Sequence, residues 1–285
     1  MKTIPLIYIN TNPKALNDSE NFSIREVQKI ICGKDFVQDT HRHDFYYLLV
    51  LLKGRGTHTI DFTPYQIKKY SIFIMRPGQV HKIVLKKGSV GYIIQFRKDF
   101  FPTDDIKSKT LLRRTCSKTL WQLDSESFKK LFSIIDGILK ESVEKKEKYS
   151  DVIKASLEIF FIELLRNNEH NQNSAERRSI IDRLEKFSEL LDNHILVNKR
   201  ASQYAKMLNL SPYQLNTITK TALGKTSSEL INEQIILESK RYLLSTSNQV
   251  KEIAYHLGYE DVSYFIRFFR KHTGLSPQAF RQNLN

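Results

Sequence analysis

Cysteine is almost missing from this chain. Cys32 and Cys116 are its only two in 285 residues, too few for a disulfide framework, and a chain of this length buries enough apolar surface to fold without one. No long apolar stretch opens the sequence, so no signal peptide is expected. The longest apolar runs, Phe45 to Leu52 and Ile159 to Leu165, fall well short of the roughly 20 residues that cross a bilayer. Secreted disulfide-rich and membrane-spanning classes are thereby excluded, and the expected setting is reducing and cytoplasmic. Neither cysteine has a neighbour that would lower its thiol pKa and make it a nucleophile.

Acidic residues are also in short supply: 31 Asp and Glu against 45 Lys and Arg, for a formal charge of +14 and a pI near 9.6. Such a balance favours polyanionic partners. The excess is spread along the chain, however, with 16 basic against 10 acidic residues in 177–285 and 29 against 21 before them. Charge by itself leaves a solvated basic surface and a nucleic-acid partner equally open.

What the chain does contain is one helix-turn-helix pattern written twice. The first copy runs Ala201 to Leu210, turns, and continues Tyr213 to Lys220; the second runs Val250 to Tyr259 and continues Ser263 to Arg270. Ala205 maps to Ala254 and Leu208 to Leu257 at an offset of 49, whereas Leu215 to Phe265, Ile218 to Phe268 and Gly224 to Gly274 need 50. One extra residue therefore sits in the second turn. Two helices crossing steeply need a small residue where their backbones approach, supplied by Ala205 and Ala254, and apolar residues a turn either side. Gly258, and Asn209 at the equivalent point, suit the left-handed residue that ends a helix.

Residues from about Phe22 to Phe101 read as β-structure. Short runs (Tyr46–Leu52, Thr57–Phe62, Ser71–Met75, His81–Leu85, Tyr92–Phe96) are separated by turn signals such as Pro77-Gly78, which predicts a compact antiparallel β-barrel. Two amphipathic helices are predicted next, Glu126–Val143 and Asp151–Arg166, with Ser150 as N-cap of the second. They either cover an open face of the barrel or form a dimer interface. Residues 167–178 have almost no apolar side chain and are expected to be a linker. Beyond it helices are predicted near 179–195, 200–208, 212–222, 227–245, 249–257, 262–272 and 277–283, punctuated by Ser211-Pro212, Ser276-Pro277 and a Thr226/Glu229 capping box. The fold class is two-domain α+β: residues 1–166 a β-barrel with two flanking helices, 167–178 a linker, and 179–285 an all-α domain with a bipartite helix-turn-helix.

Lys251-Glu252-Ile253-Ala254, Leu257-Gly258-Tyr259, Ser263-Tyr264-Phe265, Arg267 to Lys271 and Thr273 to Pro277 together resemble the signature of the AraC/XylS family of bacterial transcription regulators. The likeness covers residues 179–285, and the β segment resembles the cupin-like sensor domain that often precedes it. The resemblance implies two three-helix units joined by a rigid helix, here Ser227–Ser245, with the second helix of each motif in the major groove. A helix of that length spans about 27 Å at about 1.5 Å per residue, of the order of one DNA turn of about 34 Å.

In the first recognition helix Leu215, Ile218 and Ala222 are expected inward and Tyr213, Gln214, Asn216, Thr217 and Lys220 outward. In the second, Phe265, Phe268 and Phe269 face inward and Val262, Ser263, Ile266, Arg267, Arg270 and Lys271 outward. The resemblance places Arg267 where the family commonly has a base-contacting arginine, and a guanidinium suits bidentate contact with guanine. Lys220, Arg270 and Lys271 are expected on phosphates. Many members carry arginine at the position of Thr217, and glutamine and serine at those of Val262 and Ile266, so the target sequence is this chain's own.

His41-Arg42-His43 and Pro77 to His81 resemble the two metal-binding motifs of cupins, but Tyr47 stands where the first motif has its glutamate. The expectation is no functional metal, no cofactor and no catalytic residue. His41, His43, Arg76 and His81 are expected to line a polar pocket for a small-molecule effector, His58 to be an ordinary strand residue, and Trp121 to be core. The function expected is a cytoplasmic, sequence-specific transcription regulator, not an enzyme, homodimeric, with double-stranded DNA, an effector and RNA polymerase as partners and no membrane. The alternative is a metal-dependent cupin enzyme with an accessory helical domain; a further rival is a general nucleic-acid binder.

Overall fold

A computed structural model of the chain describes residues 4–7, 9, 21–101, 106–169 and 175–283. Its contacts divide into two compact units, one of Pro5–Asn171 and one built on Gln172–Asn285.

Among the described residues the first unit holds ten strands: β1 (Leu6–Ile7), β2 (Phe22–Glu26), β3 (Phe36–His43), β4 (Tyr46–Lys53), β5 (Gly56–Ile60), β6 (Thr63–Ile67), β7 (Ser71–Met75), β8 (Val80–Leu85), β9 (Val90–Phe96) and β10 (Leu120–Gln122). They form two five-stranded sheets, ordered β1-β3-β8-β5-β6 and β10-β7-β4-β9-β2. Every pairing is antiparallel except the short β1 with β3. The sheets do not close into the expected barrel. The reason lies in β4, whose run of apolar residues is buried on both faces: Tyr47, Leu49 and Leu51 pack between the sheets, while Leu48 and Val50 pack against helices. Strand side chains alternate, so a sheet covered by helices on its outer face already buries both sides.

That cover is three helices: α2 (Ile106–Cys116), α3 (Ser125–Glu144) and α4 (Tyr149–Glu169), after a short α1 (Val27–Ile31). Phe128, Leu131, Ile135 and Ile138 of α3 and Ile153, Leu157, Phe160, Phe161 and Leu164 of α4 join Ile72, Ile74, Ile94 and Phe96 in one cluster. Of the two expected roles for these helices, their apolar faces serve sheet cover. Asp124 caps α3, accepting from the backbone N–H groups of Glu126 and Ser127 at 2.9 Å. The expected N-cap Ser150 instead lies inside α4, which starts one residue earlier after Lys148 turns left-handed (φ 59°). Trp121 is core, 3% exposed. Helix α2 and strand β10 have no counterpart in the sequence-based expectations.

The second unit is helical: α5 (Ala175–His194), α6 (Ala201–Met207), α7 (Pro212–Leu223), α8 (Ser227–Ser245), α9 (Val250–His256), α10 (Val262–Thr273) and α11 (Pro277–Asn283). Helices reach into the expected linker from both sides, and residues 170–174 between them lie outside the described residues. The capping box at Thr226 forms, with Thr226 N–H donating to Glu229 Oε2 (2.7 Å) and Glu229 N–H to Thr226 Oγ1 (3.1 Å). Ser211 caps α7 and Ser276 caps α11. Arg281 on α11 is 5% exposed and donates to the carbonyls of Leu243 and Asn248, tying down the end of α8.

Candidate functional site

The repeat is expressed in three dimensions. Helices α6 and α9 are seven residues each, α7 and α10 are twelve, and four against five residues lie in the turns. Asn209 and Gly258 both adopt positive φ, 53° and 73°. Ala205 and Ala254 are fully buried beside Tyr204 and Ile253, where the crossing needs small residues. Gly224 and Gly274 end α7 and α10 with left-handed φ.

On α7, Leu215 and Ile218 are buried as expected. Ala222 is exposed, and Thr219 is buried in its stead with its hydroxyl donating to the Asn216 carbonyl at 3.1 Å. The helix is only twelve residues long, and its last turn runs past the face of the unit it packs on. Tyr213 (81% exposed), Gln214, Thr217 and Lys220 point out. Gln214 Oε1 accepts from Ser211 N–H at 2.9 Å in a capping box. Asn216 is half-buried, and its Oδ1 accepts from both the N–H (2.9 Å) and the hydroxyl (3.1 Å) of Ser227. Its amide oxygen therefore clasps the start of α8 instead of facing outward.

On α10, Phe265 and Phe269 are fully buried, but Phe268 is only half-buried. It stacks between Tyr264 and His272, with ring centroids at 6.5 and 4.6 Å. Ser263, Arg267, Arg270 and Lys271 are exposed, and Val262 and Ile266 are half-buried. Asp261 caps the helix through Ser263 and Tyr264 N–H (2.7 and 3.1 Å), and its other oxygen lies 3.8 Å from Arg267 Nη2. With both side chains mostly exposed that pair is weak, so the guanidinium is easily given up to a stronger acceptor.

Three of the outward side chains on each helix match at an offset of fifty: Tyr213 with Ser263, Thr217 with Arg267, Lys220 with Arg270. Spacings of four and three residues put each trio on one helical face.

In the first unit, β8 lies between β3 and β5, pairing His81 with His41 on one side and Ile60 on the other. His41, His43, His58 and His81 all turn into the space between the sheets and are 0–3% exposed. They make a continuous chain. His41 Nδ1 is 2.6 Å from the Asp39 carbonyl, its Nε2 is 3.1 Å from His43 Nε2, His43 Nε2 is 2.7 Å from His81 Nε2, and His81 Nδ1 is 2.8 Å from His58 Nε2. His58 is thus no ordinary strand residue; it shares a strand face with buried Ile60, and only long-range pairing brings it to His81. The β7–β8 turn is locked over the cluster by Gly78 N–H to the His43 carbonyl (2.8 Å) and by Gln79, which bridges Arg76 N–H and Asp61.

Burial holds all four imidazoles below their ordinary pKa, and their mutual repulsion adds to it at His43, His58 and His81; His43 and His58 fall to about 3. The four are therefore neutral at pH 7. Arg76, half-buried just past β7, acts with its charge on the Cys116 thiol of the helix-side cluster, while burial pushes that thiol up to about 12. At the other end of the strands, Lys53, Arg55, Lys68, Lys69 and Lys87 line an open depression of about 920 Å³ beside Tyr70. The sequence reading missed it, because its cations come from three separate turns.

Two sheets enclosing a polar cluster, and a pair of capped helix-turn-helix motifs with matched outward faces, define a DNA-binding regulator joined to a ligand-sensing domain. Comparison with known proteins agrees. The family model of an AraC-like ligand binding domain matches residues 32–157, and that of a helix-turn-helix domain matches residues 204–283. The AraC/XylS resemblance of the sequence is thereby borne out in both of its parts. It is 22% identical over 268 residues to the HTH-type transcriptional activator RhaR of Cronobacter sakazakii, covering 92% of this chain and 94% of the relative. It is 23% identical over 251 residues to RhaS of Escherichia coli O157:H7, covering 85% and 87%. Among solved structures it is similar to ToxT of Vibrio cholerae O395, at 19% identity and a TM-score of 0.44, covering 94% of this chain and 99% of that one. Its relatives are transcription regulators, and no helix among the described residues is long and apolar enough to cross a membrane.

Proposed function

We propose that this regulator reads DNA through two unequal helices, α7 and α10. Arg267 takes a guanine edge, Lys220, Arg270 and Lys271 hold phosphates, and Tyr213, Thr217 and Ser263 complete the contact faces. Gln214 and Asn216 keep their amide nitrogens for DNA while their oxygens hold the scaffold. The observation that carries this reading is the matched outward trio on two helices of equal length, each N-capped by a side chain and ended at a left-handed glycine. Residues 1–166 act as sensor and dimerisation domain, 167–178 as linker and 179–285 as reader. His41, His43, Arg76 and His81 are the effector-facing polar group. The open depression of five cations favours a second location, suited to an anionic effector. The protein works in the cytoplasm as a homodimer, contacts RNA polymerase and is not an enzyme.

Effector binding shifts the population able to place both helices on DNA. The test is the affinity for duplexes from the upstream region of its own gene against scrambled duplexes, at two salt concentrations. Discrimination of about 10³ or more at the higher salt supports sequence-specific reading. Equal affinities that fall together with salt belong to a general nucleic-acid binder and refute it.

A further inference from the structure

The proton count of the histidine chain exposes a frustration. His41 Nδ1 faces a carbonyl and must carry its proton, so in the neutral ring Nε2 is a bare lone pair. His81 places Nδ1 against His58 Nε2; when that nitrogen donates, Nε2 of His81 is bare as well. Between them lies His43 Nε2, at 3.1 and 2.7 Å. Its single proton can satisfy one of the two lone pairs, not both. The remaining acceptor has no partner among the described residues, at a site closed to water, and an unmade hydrogen bond there is unfavourable. Next to the cluster, Tyr47 lies with its ring parallel to that of His43 and 5.4 Å from it, and its buried hydroxyl has no hydrogen-bond partner among the described residues.

Three converging Nε2 atoms on neutral imidazoles are what a borderline divalent metal asks for, and imidazole suits zinc, copper, nickel and iron. We propose that His41, His43 and His81 bind one divalent transition metal, of which zinc is the type, through their Nε2 atoms. The ligand atoms lie within 4.8 Å of one another. Tetrahedral zinc at about 2.0–2.1 Å from each nitrogen sets them about 3.3 Å apart, so His43 Nε2 moves away from its neighbours at 3.1 and 2.7 Å by about 0.2 and 0.6 Å to admit the ion. The Asp39 carbonyl and His58 are positioning groups: each holds a ligand's Nδ1–H and so turns its Nε2 lone pair inward, the usual outer-shell role. The fourth position takes an oxygen donor. The expectation drawn from the missing glutamate changes accordingly, because a fixed three-imidazole set needs no carboxylate to hold zinc.

This inference concerns the histidines assigned to the effector, and its test is separable from that reading because it uses metal alone. Full-length protein is stripped with chelator and titrated with Co²⁺, read by visible absorption, then with competing Zn²⁺. The expected result is one Co²⁺ per chain with the intense bands of tetrahedral coordination, displaced by Zn²⁺ and lost in His43→Ala. His58→Gln keeps the stoichiometry and weakens affinity about 10–100-fold. Trp121 fluorescence shows whether each variant is folded; should His43→Ala unfold, the decrease in His58→Gln carries the test. A folded parent protein that takes up no stoichiometric Co²⁺, one whose uptake a folded His43→Ala leaves unchanged, or one whose affinity His58→Gln leaves unchanged, overturns the metal site while leaving DNA recognition and effector response as they were.

Discussion

Gly258 in the second helix-turn-helix is the most exacting backbone position in the DNA-binding unit. Its φ is +73°, and a Cβ there meets the Leu196 carbonyl oxygen at 2.2 Å and Lys199 Nζ at 2.8 Å. Gly274 has a similar φ of +78° but nothing within 4 Å. In Gly274→Ala only the left-handed backbone is penalised, by roughly 1–2 kcal/mol. Gly258→Ala carries the same term and must also displace the Leu196 backbone, which breaks the 3.1 Å bond from Lys199 Nζ to that carbonyl. A charged hydrogen bond of this kind contributes about 1.5–3 kcal/mol. The lysine also loses its seat over the Tyr259 ring, 5.0 Å from the centroid. The difference between the two variants is thus about 2–3 kcal/mol, or roughly 30–150-fold in the local opening equilibrium. Amide hydrogen exchange across α9 and α10 in the full-length protein reads it directly. The fluorescence of Trp121, the single tryptophan and part of the other unit, stays unchanged. Equal loss of protection in both variants would refute the close-packing argument.

Three further outcomes are expected. Asn216→Ala removes the clasp on Ser227 and costs about 1–3 kcal/mol of stability for the stranded donors; if exchange protection at the start of α8 is unchanged, the clasp is refuted. Lys220→Ala weakens binding to all duplexes alike and lowers the salt slope by about 1, as fluorescence anisotropy at several salt concentrations will show, and a sequence-selective loss would contradict the phosphate assignment. For the metal-free sensor unit the pH effect has a defined sign: His43 and His58 titrate near 3 in the folded state against 6.5 ordinarily, so above about pH 6.5 neither state binds a proton and stability is flat. As pH falls from there toward 3 only the unfolded state takes up protons, and stability drops by up to about 1.4 kcal/mol per unit for each histidine. Urea midpoints by Trp121 fluorescence at pH 7, 6 and 5 test this, and a constant midpoint contradicts it.

The DNA-binding unit was readable in the sequence because its signals are local. Caps, Pro212, Pro277, Gly258 and Gly274 fix helix ends within a few residues of themselves, and the second copy checks the first. The sensor unit was readable only in outline. That its sheets stay open depends on which face of β4 meets α3 and α4, and that is settled by contacts far apart in the chain. His58 shows the same limit: its alternation with Ile60 gives its strand face correctly, but its value lies in His81, 23 residues away on a neighbouring strand. Asn216 looked outward by helical period, and was claimed by the first turn of α8 eleven residues later.

The central claim is that α7 and α10 read DNA as unequal partners with Arg267 as the principal base reader. Selection of bound sites from random duplex DNA, carried out with the parent protein and with Arg267→Ala, tests it most directly. The account predicts a two-part motif about one helical turn apart, in which Arg267→Ala costs about 1–3 kcal/mol and relaxes a single guanine position while the other half is kept. No enriched motif, or a motif whose preferences survive Arg267→Ala unchanged, contradicts it.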